Sequence, residues 1–304
     1  MSDNIFKRLN LFFRERYPLF TGILSSIVGT MSMYLVWAAI HDGAMVILDR
    51  YVFVSILSMF LVTLILRLSD EIKDKEVDRV IFPERCLPSG KVKYSDIYVA
   101  LIFFSILFFI LNLFFGGNKF LFYGLCIYLF LFYKYFFFPK QISNNLMMAL
   151  VTHNPLLVVM SLYLISIFSA QQDLDIFNLK NILLAVAFWM PSLTWETARK
   201  IRAPHRETDY TTYSKAIGPR ISCLLPLGAM LVQYLCISYL VKDLAQGYLI
   251  IIGSGIIYCL FLFHFSLFLV SLKSRYARYF QLLTEGQILA NSFLIVVVSF
   301  MEIR

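Results

Sequence analysis

Long runs of apolar residues, separated by short polar segments, make up most of this sequence. A helix needs about 20 such residues to cross a hydrocarbon core roughly 30 Å thick. Windows of this kind with few charges predict nine membrane-spanning helices, at residues 17–40, 46–66, 94–115, 119–138, 144–169, 181–198, 219–241, 247–271 and 283–301. We therefore expect an all-α polytopic membrane protein with a single domain over residues 1–304.

Basic residues are distributed unevenly between the two sides of the predicted spans. All but five of the 27 Lys and Arg residues fall on the side that carries the N-terminus, and the exceptions are Arg50, Lys119, Lys180, Lys242 and Arg304. Since Lys and Arg accumulate in cytoplasmic loops, we expect a cytoplasmic N-terminus and an external C-terminus, in the inner or plasma membrane if the source is bacterial. Residues 1–16 predict a retained cytoplasmic helix at the membrane interface.

Composition agrees with this topology and excludes other classes. Hydrophobic residues make up 60% of the chain, charged residues 15%, and the mean hydropathy of +0.74 lies outside the range of soluble domains. The net charge of +8 follows from the loop bias and suits anionic membrane lipids. It does not indicate nucleic-acid binding, because no basic domain stands clear of the membrane. Nothing in the sequence implies a protein partner.

A dense group of charges follows the second predicted span in "RLSDEIKDKEVDRVIFPERCLPSG", residues 67–90. Its acids Asp70, Glu71, Asp74 and Asp78 have helical spacing, and we expect them to project from one face. Converging carboxylates repel one another unless cations neutralise them, and oxygen ligands with substrate phosphates suit Mg²⁺. The pattern predicts a magnesium–diphosphate site. The alternative is a solvated loop, since bases such as Lys73 interleave with the acids.

A second group of charges follows the sixth predicted span in "WETARKIRAPHRETDYTTYSKAIG", residues 195–218. Glu196, Arg199 and Lys200 share a helix face at membrane depth, where ionisable groups are costly and usually functional. Arg and Lys beside carboxylates are suited to holding a diphosphate. Each group begins at the cytoplasmic end of an even-numbered span and is followed by a glycine, Gly90 or Gly218. This correspondence favours two related halves around a central cavity open to the cytoplasmic side.

These motifs resemble those of the UbiA superfamily of intramembrane prenyltransferases. The stretch "DEIKDKEVD" is similar to the family's N-D-x-x-D-x-x-x-D motif, "PERCLPSG" to its Arg-Pro-Leu-x-x-Gly stretch, and "YKYFFFPK" to its Tyr-Pro-x-x-Lys-Arg region. The second motif departs from the family's D-x-x-D-x-x-x-D, because Glu196, Arg199 and Ala203 stand at those spacings. Two metal ligands are therefore missing, and the number of metals and the acceptor are open.

The resemblance implies Mg²⁺-dependent transfer of a polyprenyl group from a prenyl diphosphate to an aromatic, other small-molecule or lipid acceptor. It implies that the motif loops 67–93 and 196–218 carry the site. The implied catalytic residues are Asp70, Glu71, Asp74, Asp78, Glu196 and Lys200; the implied metal ligands are Asp70, Glu71, Asp74, Asp78, Glu196, Glu207 and Asp209; the implied diphosphate contacts are Arg85, Lys134, Arg199, Lys200, Arg202 and Tyr213.

Three other functions stay open on sequence alone. Phosphoribosyl transfer to a polyprenyl phosphate would use the basic second motif, and a cyclase would use the prenyl diphosphate by itself. A transporter or lipid-binding membrane protein would need no chemistry at the acidic loop. A transporter should carry polar residues near mid-span, whereas most charges here lie at the cytoplasmic boundary, which favours an enzyme acting on an amphiphilic substrate.

Overall fold

The computed structural model describes residues 4–41, 44–208 and 211–302, and within these ranges the chain forms helices and no strands. The α-helices are α1 Ile5–Arg16, α2 Leu19–Ile40, α3 Arg50–Lys73, α4 Lys75–Ile81, α5 Tyr94–Phe115, α6 Lys119–Tyr133, α7 Pro139–Ser143, α8 Leu146–His153, α9 Leu156–Gln172, α10 Leu179–Ala198, α11 Tyr213–Ile217, α12 Pro219–Ser222, α13 Leu224–Val241, α14 Gly247–Ser271, α15 Ser274–Ala277 and α16 Phe280–Glu302. A short 3₁₀ helix occupies Pro204–Arg206, and Tyr135–Phe137 form a short left-handed turn.

Seven helical segments in the described ranges are long and apolar enough to cross a membrane. They are α2, α3, α5, α8 with α9, α12 with α13, α14, and α15 with α16. The protein is therefore an integral membrane protein. The two remaining predicted spans correspond to α6, which has 15 residues, and α10, which has 20 and contains Pro191. A total of nine spans stays a prediction, as do the two related halves and the cytoplasmic cavity.

The largest apolar core extends from the end of α2 to Phe132, beside the first motif. Tyr34 and Trp37, near the end of α2, are fully buried and pack with Phe168, near the end of α9. The Tyr34 and Phe168 ring centroids are 4.9 Å apart. Because α3 and α10 begin beside this core and end at the motifs, the rigid part of the bundle anchors the two helices that deliver the charges.

A buried polar contact joins three of these helices. The side chains of Ser58 in α3 and Tyr163 in α9 donate to Oδ1 of Asn112 in α5, at 2.8 and 2.6 Å. Nearby, Gly117 lets the α5–α6 turn approach α9 closely, since a Cβ atom there would lie 2.5 Å from Oγ of Ser166. The hydrophobic effect does not drive helices together inside a membrane. Hydrogen bonds and close packing at small residues, as seen here, stabilise helix–helix contacts instead.

Each motif rests on a separate, smaller apolar cluster. At the first motif, Phe12 of α1 is fully buried with Leu68 and Cys86. At the second, Ala198 and Phe280 belong to a cluster from α10, α13, α14 and α16. The predicted N-terminal helix is thus present as α1 over the described part of residues 1–16, and it packs directly on the first motif.

Candidate functional site

The acids of the first motif lie on two helix faces, so the expectation of one shared face is wrong. α3 runs through Lys73, its backbone is interrupted at Asp74 (φ −87°, ψ 8°), and α4 follows. Asp70 and Asp74 are one turn apart, and Glu71 and Asp78 are two turns apart, so the pairs lie on faces separated by about 100°. Over the described residues, no three His, Cys, Asp or Glu side chains form a group that could hold a metal.

Arginine side chains form ion pairs with Glu71 and Asp78, the acids of one of these faces. Oε1 of Glu71 accepts hydrogen bonds from Nε of Arg16, at 2.8 Å, and from Nη2 of Arg67. Nη1 of Arg85 lies 2.9 and 3.0 Å from the two Asp78 oxygens, and Nη2 of Arg16 lies 3.9 Å from the same carboxylate. The Glu71 side chain is only 3% exposed. These two acids are neutralised by the protein itself, and Arg85, predicted to contact diphosphate, lies on Asp78.

The Asp70–Asp74 face is more open. The Asp70 side chain is 42% exposed and lies 3.3 Å from Nζ of Lys73, and the Tyr135 hydroxyl donates to Oδ1 of Asp74 at 3.2 Å. Asp74 is exposed, yet surrounding protein strips part of its hydration, and this desolvation together with the charge of Asp70 raises the pKa of Asp74 to about 6. Two acids that destabilise each other's charge form a place where a cation is favoured.

Aromatic rings surround the ammonium group of Lys73. Its side chain is 5% exposed, and Nζ lies 3.6 Å from the Phe132 ring centroid and 4.4 Å from that of Tyr135. The segment Tyr135–Phe137 makes a left-handed turn with φ of 50°, 50° and 64°, which costs about 1–2 kcal/mol per residue for L-amino acids. Such strain is found where a backbone is held for function, and here it brings Tyr135 to Asp74. The sequence singled out Lys134 instead, which is exposed, 5.2 Å from the Tyr133 ring centroid.

In the second motif, Glu196 lies between two cations. Its Oε2 accepts from Arg199 Nη2 and Nε at 2.5 and 2.8 Å, and its Oε1 lies 2.7 Å from Lys200 Nζ. The Arg199 guanidinium also lies 4.6 Å from the Trp195 ring centroid. The shared helix face predicted for these three charged residues is therefore present, and it carries a net positive charge.

The loop that follows is organised by its own side chains. Glu207, a predicted metal ligand, accepts hydrogen bonds from the hydroxyls of Thr212 and Ser214 at 2.7 and 2.6 Å. Nη1 of Arg202 donates to the Thr208 hydroxyl at 2.8 Å. Both predicted site residues thus stabilise the loop. Asp209, the remaining predicted ligand, lies outside the described residues.

Tyr213 supports the second motif from behind. Its side chain is buried, its backbone N–H donates to the Lys200 carbonyl oxygen at 3.0 Å, and its ring centroid lies 5.9 Å from Lys200 Nζ. This geometry indicates that Tyr213 positions Lys200.

The ends of α3 and α10 bring charges of the two motifs close enough to interact. Asp70 is close enough to Glu196 to experience its charge, and Lys73 and Lys200 both act electrostatically on His153 at the end of α8. The sequence predictions gave Lys73 and Tyr135 no role as site residues, because their proximity depends on how distant helices pack.

The donor set fits one magnesium ion better than two. Asp70 and Asp74 provide carboxylate oxygens on one face, which matches the preference of Mg²⁺ for one or two carboxylates completed by water and phosphate. Glu71 and Asp78 already bind arginines. Lys73, Arg199 and Lys200 would supply positive charge to the phosphates of a ligand held there.

Comparison with known proteins gives a family and a fold. The UbiA prenyltransferase family matches residues 23–284. One similar solved structure comes from work on digeranylgeranylglyceryl phosphate synthase in membranes; it is 17% identical, has a TM-score of 0.65, and the match covers 97% of this chain and 99% of that one. Another, the apo structure of a UbiA homologue from Aeropyrum pernix K1, is 13% identical with a TM-score of 0.60, covering 88% and 98%. No curated protein matches the sequence.

Proposed function

Because this chain belongs to the UbiA prenyltransferase family, we propose that it transfers a polyprenyl group from a prenyl diphosphate to an acceptor within the membrane. The observation that carries the proposal is the meeting of an acidic pair, Asp70 and Asp74, with the cations of both motifs at the ends of α3 and α10. An acidic and a basic group at one place suit a ligand that brings both a metal ion and phosphates.

Departure of diphosphate is the step that these charges assist. Mg²⁺ held by Asp70 and Asp74 would supply Lewis-acid charge to the phosphate oxygens. Lys73 and Lys200 bind the same oxygens from the two motifs and stabilise the negative charge that develops as the allylic C–O bond breaks. Arg199, stacked on Trp195, binds from the second motif.

The remaining acids have supporting roles. In the first motif, Glu71 and Asp78 orient the arginines that pair with them, which are Arg16, Arg67 and Arg85. In the second motif, Glu196 orients Arg199 and Lys200. Basic side chains thereby stand where the family's second motif has metal ligands. We infer that they replace the charge of a second metal.

The prenyl group would lie on the apolar side of the site. The Phe132 and Tyr135 rings border Lys73, and aromatic faces stabilise an allylic cation while excluding water. The isoprenoid tail would extend between the membrane helices, which is the physical reason for locating this reaction in a membrane.

The test is isothermal binding of geranyl, farnesyl and geranylgeranyl diphosphates, and of phosphoribosyl pyrophosphate, to detergent-purified protein with and without Mg²⁺. We expect Mg²⁺-dependent binding of a prenyl diphosphate, weakened at least tenfold in Lys200→Ala. Arg79→Ala is the matched control, because Arg79 pairs with Glu76 at the exposed surface. Preference for the sugar pyrophosphate would indicate phosphoribosyl transfer, and binding of neither compound would contradict an enzyme of this class.

Transfer is then assayed with an acceptor panel. Phenols and hydroxynaphthoates represent aromatic acceptors. A prenylated glyceryl phosphate represents lipid acceptors, chosen because one solved relative is described as a digeranylgeranylglyceryl phosphate synthase. Formation of a prenylated product with equimolar diphosphate would identify the acceptor class.

A further inference from the structure

One ring nitrogen of His153 is available as a hydrogen-bond acceptor inside the site. Nε2 is buried and has no hydrogen-bond partner among the described residues. We assign the ring proton to Nδ1, the tautomer in which the buried, unpartnered nitrogen is the acceptor. A proton on Nδ1 leaves the lone pair on Nε2, so this nitrogen can accept a hydrogen bond and cannot donate one.

The helix break after His153 helps to keep this nitrogen within the site. Pro155 has no N–H to continue the ladder, and the helix is interrupted between α8 and α9. Nε1 of Trp189 in α10 donates to Oδ1 of Asn154 at 2.5 Å, which fixes the break against the helix that carries the second motif.

The surroundings of His153 are aromatic on one side and cationic on the other. Ring centroids of Phe132, Tyr135 and Phe136 lie 4.7, 5.8 and 6.0 Å from that of the imidazole. Nζ of Lys73 lies 3.6 and 4.4 Å from the ring centroids of Phe132 and Tyr135, two of the same rings. The imidazole thus shares the Phe132 and Tyr135 rings with Lys73, which places it beside the proposed diphosphate position.

The nearby carboxylates are engaged elsewhere. Glu196 binds Arg199 and Lys200, and Asp70 and Asp74 face the proposed metal position. A neutral acceptor for a proton is therefore available at His153.

We propose that His153 is a catalytic residue whose Nε2 accepts the proton of a hydroxyl group on the acceptor substrate. This inference rests on the proposed function and narrows it to acceptors that carry a hydroxyl nucleophile. The allylic C–O bond breaks with its electron pair leaving on diphosphate, a new bond forms between that carbon and the acceptor oxygen, and the hydroxyl proton passes to Nε2. A positioned general base of this kind contributes about 10²–10⁴-fold to the rate.

The test compares variants at two histidines. His153→Phe keeps an aromatic ring and removes the acceptor nitrogen, and His153→Ala leaves space for added imidazole. His41→Phe is the control, because Nδ1 of His41 contacts the Trp37 carbonyl oxygen at 2.8 Å, four residues earlier, at the opposite end of the bundle. Each variant is assayed for kcat with hydroxyl acceptors and for Mg²⁺-dependent binding of the prenyl diphosphate.

We expect His153→Phe to lower kcat by about 10²-fold or more, with the prenyl diphosphate Kd within twofold of wild type. Added imidazole should restore part of kcat in His153→Ala and none in His153→Phe, a rescue that a purely structural role would not give. His41→Phe should retain both properties.

Three results would overturn the assignment of His153. They are a kcat within threefold of wild type in His153→Phe, a loss of prenyl diphosphate binding in that variant equal to its loss of kcat, or a wild-type enzyme that binds the donor and transfers to none of the hydroxyl acceptors. Failure of the proposed function looks different, since the wild-type protein would then bind no prenyl diphosphate.

Discussion

Two aspartates of one motif have different surroundings, and this difference can be measured. Asp74 accepts one hydrogen bond from Tyr135 and faces Asp70, whereas Asp78 is paired with Arg85. We expect Asp74→Asn to abolish Mg²⁺-dependent binding of prenyl diphosphate and to leave the melting temperature in detergent at or above that of the wild type, because it removes ligand charge and the cost of ionising Asp74 and breaks no buried ion pair. Full binding by this variant would contradict the metal position.

Asp78→Asn should act mainly on stability. The Asp78 side chain is 11% exposed, so removing its charge leaves Arg85 and Arg16 with weaker acceptors in a poorly hydrated place. We expect a loss of about 1–3 kcal/mol, visible as a lower melting temperature in detergent. A melting temperature equal to that of Asp74→Asn would mean that the arginine contacts contribute little.

The raised pKa of Asp74 predicts a pH dependence. The folded protein holds the proton up to about pH 6, while the ordinary value is 3.8, so the cost of ionising Asp74 is present above pH 6 and is relieved as the pH falls from 6 towards 3.8. Mg²⁺ needs the ionised form. Affinity for Mg²⁺ alone, measured by calorimetry, should therefore fall about tenfold per pH unit below 6. An affinity that stays constant between pH 7 and pH 5 would contradict this prediction.

At the scale of elements, α1 acts as a cover for the first motif. Arg8 pairs with Asp96 at 2.6 Å, Oε1 of Glu15 accepts from the Cys86 backbone N–H at 2.9 Å, and Phe12 is fully buried. Burial, reinforced by Glu15, raises the pKa of the Cys86 thiol to about 12. The thiol therefore stays protonated and unreactive near neutral pH.

Loosening α1 should expose this thiol. We expect Phe12→Ala to make Cys86 react with iodoacetamide at pH 8 much faster than in the wild-type protein, measured by mass spectrometry of the Cys86 peptide. Phe6→Ala is the matched control on the same helix, because the Phe6 side chain is 77% exposed. Equal protection of Cys86 in both variants would show that α1 does not depend on the Phe12 contact.

Helical periodicity explains what the sequence could predict at this scale and what it could not. Apolar length located α2, α5 and α14 within a few residues, whereas α3 continues seven residues beyond the predicted span 46–66. Helical spacing already places Glu71 and Asp78 on a different face from Asp70 and Asp74. It does not show which side chains contact each face. Arg16 reaches Glu71 across 55 positions of sequence, and no local pattern encodes such a contact.

At the scale of the whole molecule, the sequence predicted which end carries the motifs but not how their residues converge. The charge pattern placed both motifs at one end, and Tyr34, Trp37 and Phe168 pack together in the part of the largest core at the other end. The convergence around His153 depends on three helices distant in sequence and on the left-handed turn at Tyr135–Phe137. A run of three aromatic residues gives no indication of positive φ, so the sequence could not show this turn.

Orientation in the membrane is the last prediction, and it decides from which side diphosphates reach the site. Basic loops remain on the cytoplasmic side of inserted helices, so residues 67–93 should be cytoplasmic and the α13–α14 turn external. Lys91 and Asp243 are both exposed, one in each segment. In intact cells, a membrane-impermeant maleimide should label Asp243→Cys, and should label Lys91→Cys only after permeabilisation. The reverse pattern would place the motifs outside, away from the cytoplasmic pool of prenyl diphosphates that the proposed reaction requires.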